Sequence, residues 1–268
     1  MNKYVLENSC EFDRLETQSR VAAYDFVKEL SFFKPKETGN ILDAGCGSGI
    51  VSRHLAERYP HSKILGCDFS DDRVRTAIEK GAQIPNLRFQ TENLLRLSFD
   101  NNHFDGIVCR YVLEHFNEND RTKVLLELFR STKPNGILNA IDVDGLLYNL
   151  FPQTDLVSGV LAKLSLERPI DTFVGRKLPR LVQLAGFTNI HYKIETHTFQ
   201  GETLKVEFNQ LKSRFSQLMP FLKTFIGAEK IAETFVAEYL NCLKLPGAVL
   251  FYNMFSVVGT KPNLKKEV

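Results

Sequence analysis

Ile41-Leu42-Asp43-Ala44-Gly45-Cys46-Gly47-Ser48-Gly49 is the stretch on which the reading of this chain turns. Ile41, Leu42 and Ala44 around the single acid Asp43 read as a strand buried in a parallel sheet. Three glycines at alternate positions then let the backbone turn sharply into a helix that begins near Ser48. Glycine suits such a turn because it adopts conformations closed to residues with a Cβ and lets a ligand approach the main chain closely.

The spacing separates two classes of ligand. A dinucleotide fingerprint, Gly-x-Gly-x-x-Gly, needs glycine at position 50, where Ile50 stands. Asp43 disfavours a pyrophosphate for a second reason, since an acid two residues before the first glycine repels an anion on the helix N-terminus. A cofactor carrying a sulfonium and an ammonium group, S-adenosylmethionine, is compatible with that acid.

Asp-x-Gly-x-Gly-x-Gly over 43–49 resembles motif I of the class I S-adenosylmethionine-dependent methyltransferases, and the likeness extends downstream into a bacterial small-molecule subgroup of the type 11/25 kind. The resemblance implies a Rossmann-like, doubly wound α/β sheet of seven strands whose last strand is antiparallel, with helical lid insertions. It also implies S-adenosylmethionine as cofactor and S-adenosylhomocysteine as product, held by Asp43, Gly45, Cys46, Gly47 and Gly49.

After a helix over 49–59, Lys63-Ile64-Leu65-Gly66-Cys67 reads as the second strand, with Asp68 at its carboxyl end 19 residues beyond Gly49. An acid about 20 residues past a glycine turn reaches the ribose hydroxyls in a βαβ unit. Ser70 fits the N-cap of the following helix, with Asp71 and Asp72 in its first turn, which leaves Asp68 for the ligand. Phe69 is the neighbouring candidate for a wall against the adenine.

A third strand over 86–91 leads to Glu92-Asn93-Leu94, where the resembled family usually has Asp accepting from the adenine amino group; Glu92 keeps the acceptor on a longer arm. A fourth strand, Gly106-Ile107-Val108-Cys109, runs into Arg110-Tyr111-Val112-Leu113-Glu114-His115, similar to the family's segment facing the methionine end of the cofactor. Arg110 and Tyr111 are candidates for that wall. His115 has the residue type for a general base at neutral pH, although in much of the family this histidine shapes the pocket. Tyr111 and His115 are the two catalytic candidates, and no catalytic residue is assigned.

A helix over 118–131 and a turn at Lys133-Pro134-Asn135-Gly136 precede the fifth strand at 137–141. Asn135 stands where the family has glycine and tolerates the same left-handed backbone. Asp142 and Asp144 read as a solvated turn rather than a metal pair, and no metal is expected. Beyond them the sequence predicts a helix over 146–166 around Pro152, a helix opening at Val174-Gly175-Arg176-Lys177-Leu178-Pro179, and a sixth strand over 189–199. Two helices over 202–243, broken near Pro220 and Gly227, then precede a last strand over 248–260.

Three parts follow from this order: an N-terminal lid helix (1–36), a cofactor-binding core (37–145), and a C-terminal part (146–268) carrying strands six and seven and the lid insertions. Within 1–36 a helix over 11–32 is predicted, and Arg14 and Gln18 are candidates to touch cofactor or substrate by the subgroup resemblance. Phe208, Phe215, Phe221, Phe225 and Phe235 leave two readings open: an aromatic-lined cavity for a substrate with an apolar or aromatic part, or packing on the sheet or on a second copy in a homodimer.

Composition narrows the classes. The chain has 268 residues, 43% hydrophobic and 25% charged, and a net charge of +2, which makes no case for a dedicated nucleic-acid or membrane-surface binder. No apolar run approaches the ~20 residues of a membrane span and no signal-peptide core is evident, so a cytoplasmic protein is expected. The five cysteines lack a Cys-x-x-Cys pair and read as free buried thiols. The function expected is methyl transfer to an unidentified small molecule. A cofactor-binding or regulatory module without turnover is the alternative. Protein or nucleic-acid methylation ranks lower, because the chain lacks the Asp/Asn-Pro-Pro-Tyr and Pro-Cys motifs.

Overall fold

The computed structural model describes residues 26–167 and 170–263. Eight strands among them form one sheet: β1 (Asn40–Ala44), β2 (Lys63–Asp68), β3 (Leu87–Thr91), β4 (Phe104–Arg110), β5 (Thr132–Asp144), β6 (Leu150–Phe151), β7 (Thr188–Phe199) and β8 (Val249–Thr260). Their order is β3-β2-β1-β4-β5-β8-β6, with β7 also on β8. The first five strands are parallel, and β8 runs antiparallel to β5, β6 and β7. The expected parallel sheet with a reversed last strand is therefore present, extended by the two-residue β6.

The helices follow from capping and periodicity. After α1 (Phe26–Glu29) and a 3-10 turn (Leu30–Phe32), α2 (Ile50–Arg58) leaves the glycine turn and α3 (Asp71–Gly81) starts behind Ser70 with Asp71 and Asp72 in its first turn. The Asn117 side chain accepts from the Asp120 amide and caps α4 (Glu118–Ser131). α5 (Asp155–Glu167), α6 (Leu178–Leu184), α7 (Gly201–Ile226) and α8 (Glu229–Cys242) complete the described helices.

Strand alternation divides the core between the two faces of the sheet. Ile41, Val108, Ile141 and Met254 belong to one cluster with Phe33, Leu55, Phe215 and Tyr239. Leu42, Ile107, Leu138 and Val257 belong to the other with Leu125, Leu128 and Val182. Helices on both faces leave the strand ends as the place where main-chain polar groups meet solvent or a ligand.

Four expectations are corrected. No helix runs through Pro152: a cis Phe151–Pro152 bond ends β6, and α5 begins only at Asp155. α7 passes through Pro220 unbroken and stops at Gly227, whose φ of 78° makes it the C-cap. β5 reaches Asp144 rather than ending at 141, so Asp142 and Asp144 are buried instead of lying in a solvated turn. Asp142 accepts from the Glu114 and Val143 amides, while Arg176 clasps Asp144 through Nε and Nη2, each at 2.6 Å.

The expectations for Asn135 and for the described cysteines hold. Asn135 has φ 63°, and Cys46, Cys67, Cys109 and Cys242 are free and buried. Phe215 and Phe235 meet edge to face, 5.9 Å apart, inside the core, which places these two rings in packing. Cys10, Arg14, Gln18 and most of the 11–32 helix lie outside the described residues. Among the described residues no helix is long and apolar enough to cross a membrane.

Candidate functional site

The glycine turn adopts the backbone its composition anticipates: Gly45, Gly47 and Gly49 have φ of 80°, 54° and 77°. At Gly45 the requirement is double, because a Cβ would also lie 2.4 Å from Val112 Cγ2. The loop after β4 thus packs directly on the turn after β1.

Asp68 fastens the turn to the next strand. Its Oδ2 accepts from the Gly47 amide at 3.0 Å and its Oδ1 from the Ser70 amide at 3.1 Å, while Gly45 and Cys46 both donate to the Cys67 carbonyl at 2.8 Å. Ser70 does occupy the N-cap, but its side chain makes no capping bond. Each carboxylate oxygen keeps a lone pair beyond these bonds, so Asp68 retains acceptor capacity. Arg73 Nη1, one turn into α3, stands 3.9 Å from Oδ2.

Asp43 is buried at the end of β1 and accepts from Ser52 Oγ at 2.5 Å. Burial pushes its carboxyl up to about 6, against the Ser52 hydrogen bond and the Arg110 charge, and with help from the like charge of Asp68. Glu92, buried just past β3, accepts from Gln90 Nε2 at 2.7 Å and from both the amide and hydroxyl of Ser98. Its own amide donates to the Asp68 carbonyl at 2.9 Å, tying the ends of β2 and β3 together. Asn93 Oδ1 accepts from the Leu95 amide and Leu94 is buried, whereas Phe69 remains 48% exposed. An exposed ring at the sheet edge is free to cover a flat ligand.

Arg110 ends β4 in a buried pair. Its Nε reaches Glu29 Oε2 at 2.5 Å and its Nη2 reaches Oε1 at 3.2 Å, with the guanidinium 4.2 Å from the Tyr111 ring centre. Burial disfavours its charge, but Glu29 outweighs that and holds the guanidinium firmly protonated. Tyr111 has φ 57°, a conformation uncommon for a bulky residue and concentrated at functional sites.

His115 closes a 3-10 turn (Leu113–His115) with Nε2 3.5 Å from Glu114 Oε1. Burial, with the charge of Arg73, pushes its imidazole down to about 4, so it is neutral at pH 7 and a weak base.

Asp43, Gly45, Cys46, Gly47, Gly49, Asp68, Phe69, Glu92, Asn93, Leu94, Arg110 and Tyr111 therefore all stand at or just beyond the carboxyl ends of β1–β4. Sequence reading missed Glu29, Ser52, Arg73 and Val112. Glu29 carries a faint signal, an acid in the segment Phe26-Val27-Lys28-Glu29-Leu30 on the buried side of a helix; the other three are ordinary helix or loop residues whose roles depend on tertiary contacts. The donor set fits the proposed cofactor: carboxylates from Asp43, Asp68 and Glu92 line the edge, and Glu29 and Asp68 stand beside Arg110 and Arg73, the cations an anion would need. Among the described residues no group of three acids, histidines or cysteines is placed to hold a metal ion.

Residues 41–136 match the family described as methyltransferase domain. An uncharacterized protein of Rickettsia prowazekii is 38% identical over 109 residues, 38% of this chain and 42% of that one. A Schizosaccharomyces pombe uncharacterized methyltransferase is 29% identical over 62% of this chain and 64% of its own length. Demethylmenaquinone methyltransferase of Deinococcus radiodurans is 33% identical over 37% of this chain and 40% of its own. The chain thus spans between two fifths and two thirds of these relatives.

Among solved structures, Haemonchus contortus phosphoethanolamine N-methyltransferase 2, in complex with phosphomonomethylethanolamine and S-adenosylhomocysteine, superposes with a TM-score of 0.62 at 17% identity, covering 97% of this chain and 60% of that one. A Methanosarcina mazei S-adenosylmethionine-dependent methyltransferase gives 0.52 at 17% identity, over 85% of this chain and 94% of that one. At that identity the likeness concerns the fold.

Proposed function

We propose that this chain, whose residues 41–136 match the methyltransferase-domain family, is a class I S-adenosylmethionine-dependent enzyme that methylates a small molecule. The observation that carries the reading is the left-handed glycine turn at 45–49 bound to the Asp68 carboxylate, beside a buried Asp43. That combination suits a cationic nucleoside and opposes a pyrophosphate. Residues 37–145 serve as the cofactor-binding core, and 146–268 with the N-terminal segment cover the acceptor.

In this reading Asp68 accepts from the ribose hydroxyls and Glu92 from the adenine amino group, with Asn93 and Leu94 main chain along the ring edge. Phe69 covers the base, and the turn from Gly45 to Gly49 lets the nucleoside lie against the backbone. Asp43 supplies negative charge where the cofactor is positive, and Arg110 and Tyr111 wall its methionine end. When bound, the cofactor supplies an electrophilic methyl group. The protein's task is to align the acceptor with that carbon and to exclude water, which the helices α5, α7 and α8 on one sheet face are suited to do.

The relative named as a demethylmenaquinone methyltransferase supports a small-molecule acceptor without fixing which one. Calorimetric titration with S-adenosylmethionine, S-adenosylhomocysteine and NAD tests the reading. Micromolar binding of the first two without NAD is expected; binding of NAD alone overturns it. Cofactor binding with no consumption against a metabolite extract would leave the module without turnover.

A further inference from the structure

β5, β8 and β7 continue past the end of β4. Arg110 pairs with Ile141, which pairs with Ser256 and in turn with Lys193, whereas β8 and β7 go on along the same direction to Tyr252 opposite His197. These strands form a wall that rises beyond the carboxyl end of β4, where the acceptor must stand if the proposed function holds. Alternation puts Arg110, Ile141, Met254, Tyr252 and His197 on one face of that wall.

His197 is the ionisable group on this wall that no other function claims. Its ring lies 5.2 Å from the buried Tyr252 ring, which in turn packs at a tilt against Phe199 at 5.7 Å. Its Nε2 is sealed from solvent and meets no hydrogen-bond partner among the described residues. A buried imidazole nitrogen left without a partner is costly and calls for an explanation. The charged groups around it are Lys28 and Glu29 from α1, Arg110 from β4 and Glu195 from its own strand, with Tyr252 from β8. Glu29 is paired with Arg110 and Glu195 with Lys193 of the same strand face, so the imidazole faces two carboxylates that cations already hold.

On the reading above, we propose that His197 is a catalytic residue whose Nε2 takes the proton of the methyl acceptor, and that the acceptor is a hydroxyl on an aromatic ring. The ring stands against the partly exposed Tyr111, behind which Tyr252 and Phe199 are packed in the core. As the acceptor oxygen forms its bond to the methyl carbon, the carbon–sulfur bond breaks and its electron pair stays on sulfur. The hydroxyl proton passes to Nε2, so the positive charge lost at sulfur reappears on the imidazole, facing Glu29 and Glu195. Burial, with Arg110 and Lys28, pushes the His197 imidazole down from its ordinary value, against Glu29 and Glu195, so it starts neutral and able to accept. The Nδ1–H tautomer presents the required lone pair at Nε2.

Phenol is the probe, added to the full-length protein saturated with S-adenosylhomocysteine and followed by the side-chain nitrogen resonances of its histidines. Phenol is expected to bind and to shift the His197 Nε2 signal. His197→Ala should weaken phenol at least tenfold, His197→Gln should recover most of that loss, and neither should change S-adenosylhomocysteine affinity more than about twofold. No phenol binding, an unmoved Nε2 signal, or equal phenol affinity in His197→Ala overturns the proposal. Failure of the wild-type protein to bind S-adenosylhomocysteine instead removes the functional reading beneath it.

Discussion

The Gly47 amide donates to Asp68 Oδ2 at 3.0 Å, across 21 residues of chain. The carboxylate proposed to hold the ribose is therefore also what holds the glycine turn, so cofactor binding and local order share one group.

Asp68→Ala should weaken S-adenosylmethionine by roughly 1–3 kcal/mol, or about 5- to 150-fold, by leaving hydrogen-bond donors stranded. Calorimetry reads the affinity, and amide exchange at Gly47 and Ser70 should quicken in the same variant. Unchanged affinity with faster exchange would make Asp68 a purely structural clasp.

Gly45→Ala meets both a φ of 80° and Val112 Cγ2 at 2.4 Å. A loss of about 2 kcal/mol or more is expected in denaturant unfolding, since a left-handed residue with a Cβ costs ~1–2 kcal/mol before any overlap. Pairing it with Val112→Ala should restore part of that loss, because the second change removes the atom in the way.

Asp43 links pH to cofactor and stability in opposite directions. Its folded carboxyl sits at about 6, above the ordinary 3.8. Its contribution to stability is therefore greatest below the ordinary value and is lost as pH rises through 6. A cationic cofactor prefers the charged form, so affinity should fall as pH drops from 7 to 5. Titrations across that range check this: Asp43→Asn should bind more weakly at pH 7 and show a flat profile.

Glu29 and Arg110 are paired out of water, with 1% and 12% of their side chains exposed. Glu29→Gln strands the guanidinium and should cost about 3–5 kcal/mol, whereas replacing both residues by Leu and Met should cost far less. Thermal unfolding of the two variants decides it; equal losses would mean that packing rather than charge is what the pair supplies.

The succession of elements through β5 was legible because each is a local matter. Hydrophobic runs made the strands, glycines the first turn, Ser70 a helix start, and Asp68 announced itself by its distance from Gly49. Asn135 was readable as a left-handed position because its amide side chain tolerates that backbone.

Other features are decided by distant parts of the chain. Pro220 looks like a helix breaker in sequence, but the apolar face of α7, with Leu211, Phe215 and Leu222 buried, packs on both sides of it and carries the helix through. Asp142 and Asp144 look solvated until β5 pairs with β8 and brings the Glu114 amide and Arg176 to them. The sequence by itself determined the sheet edge, its glycine turn and its acids, since periodicity and residue type suffice for these. Only the tertiary structure decided that Glu29 neutralises Arg110 and that His197 Nε2 is sealed from solvent on the wall beyond β4, because burial and charge pairing arise between segments far apart in the chain.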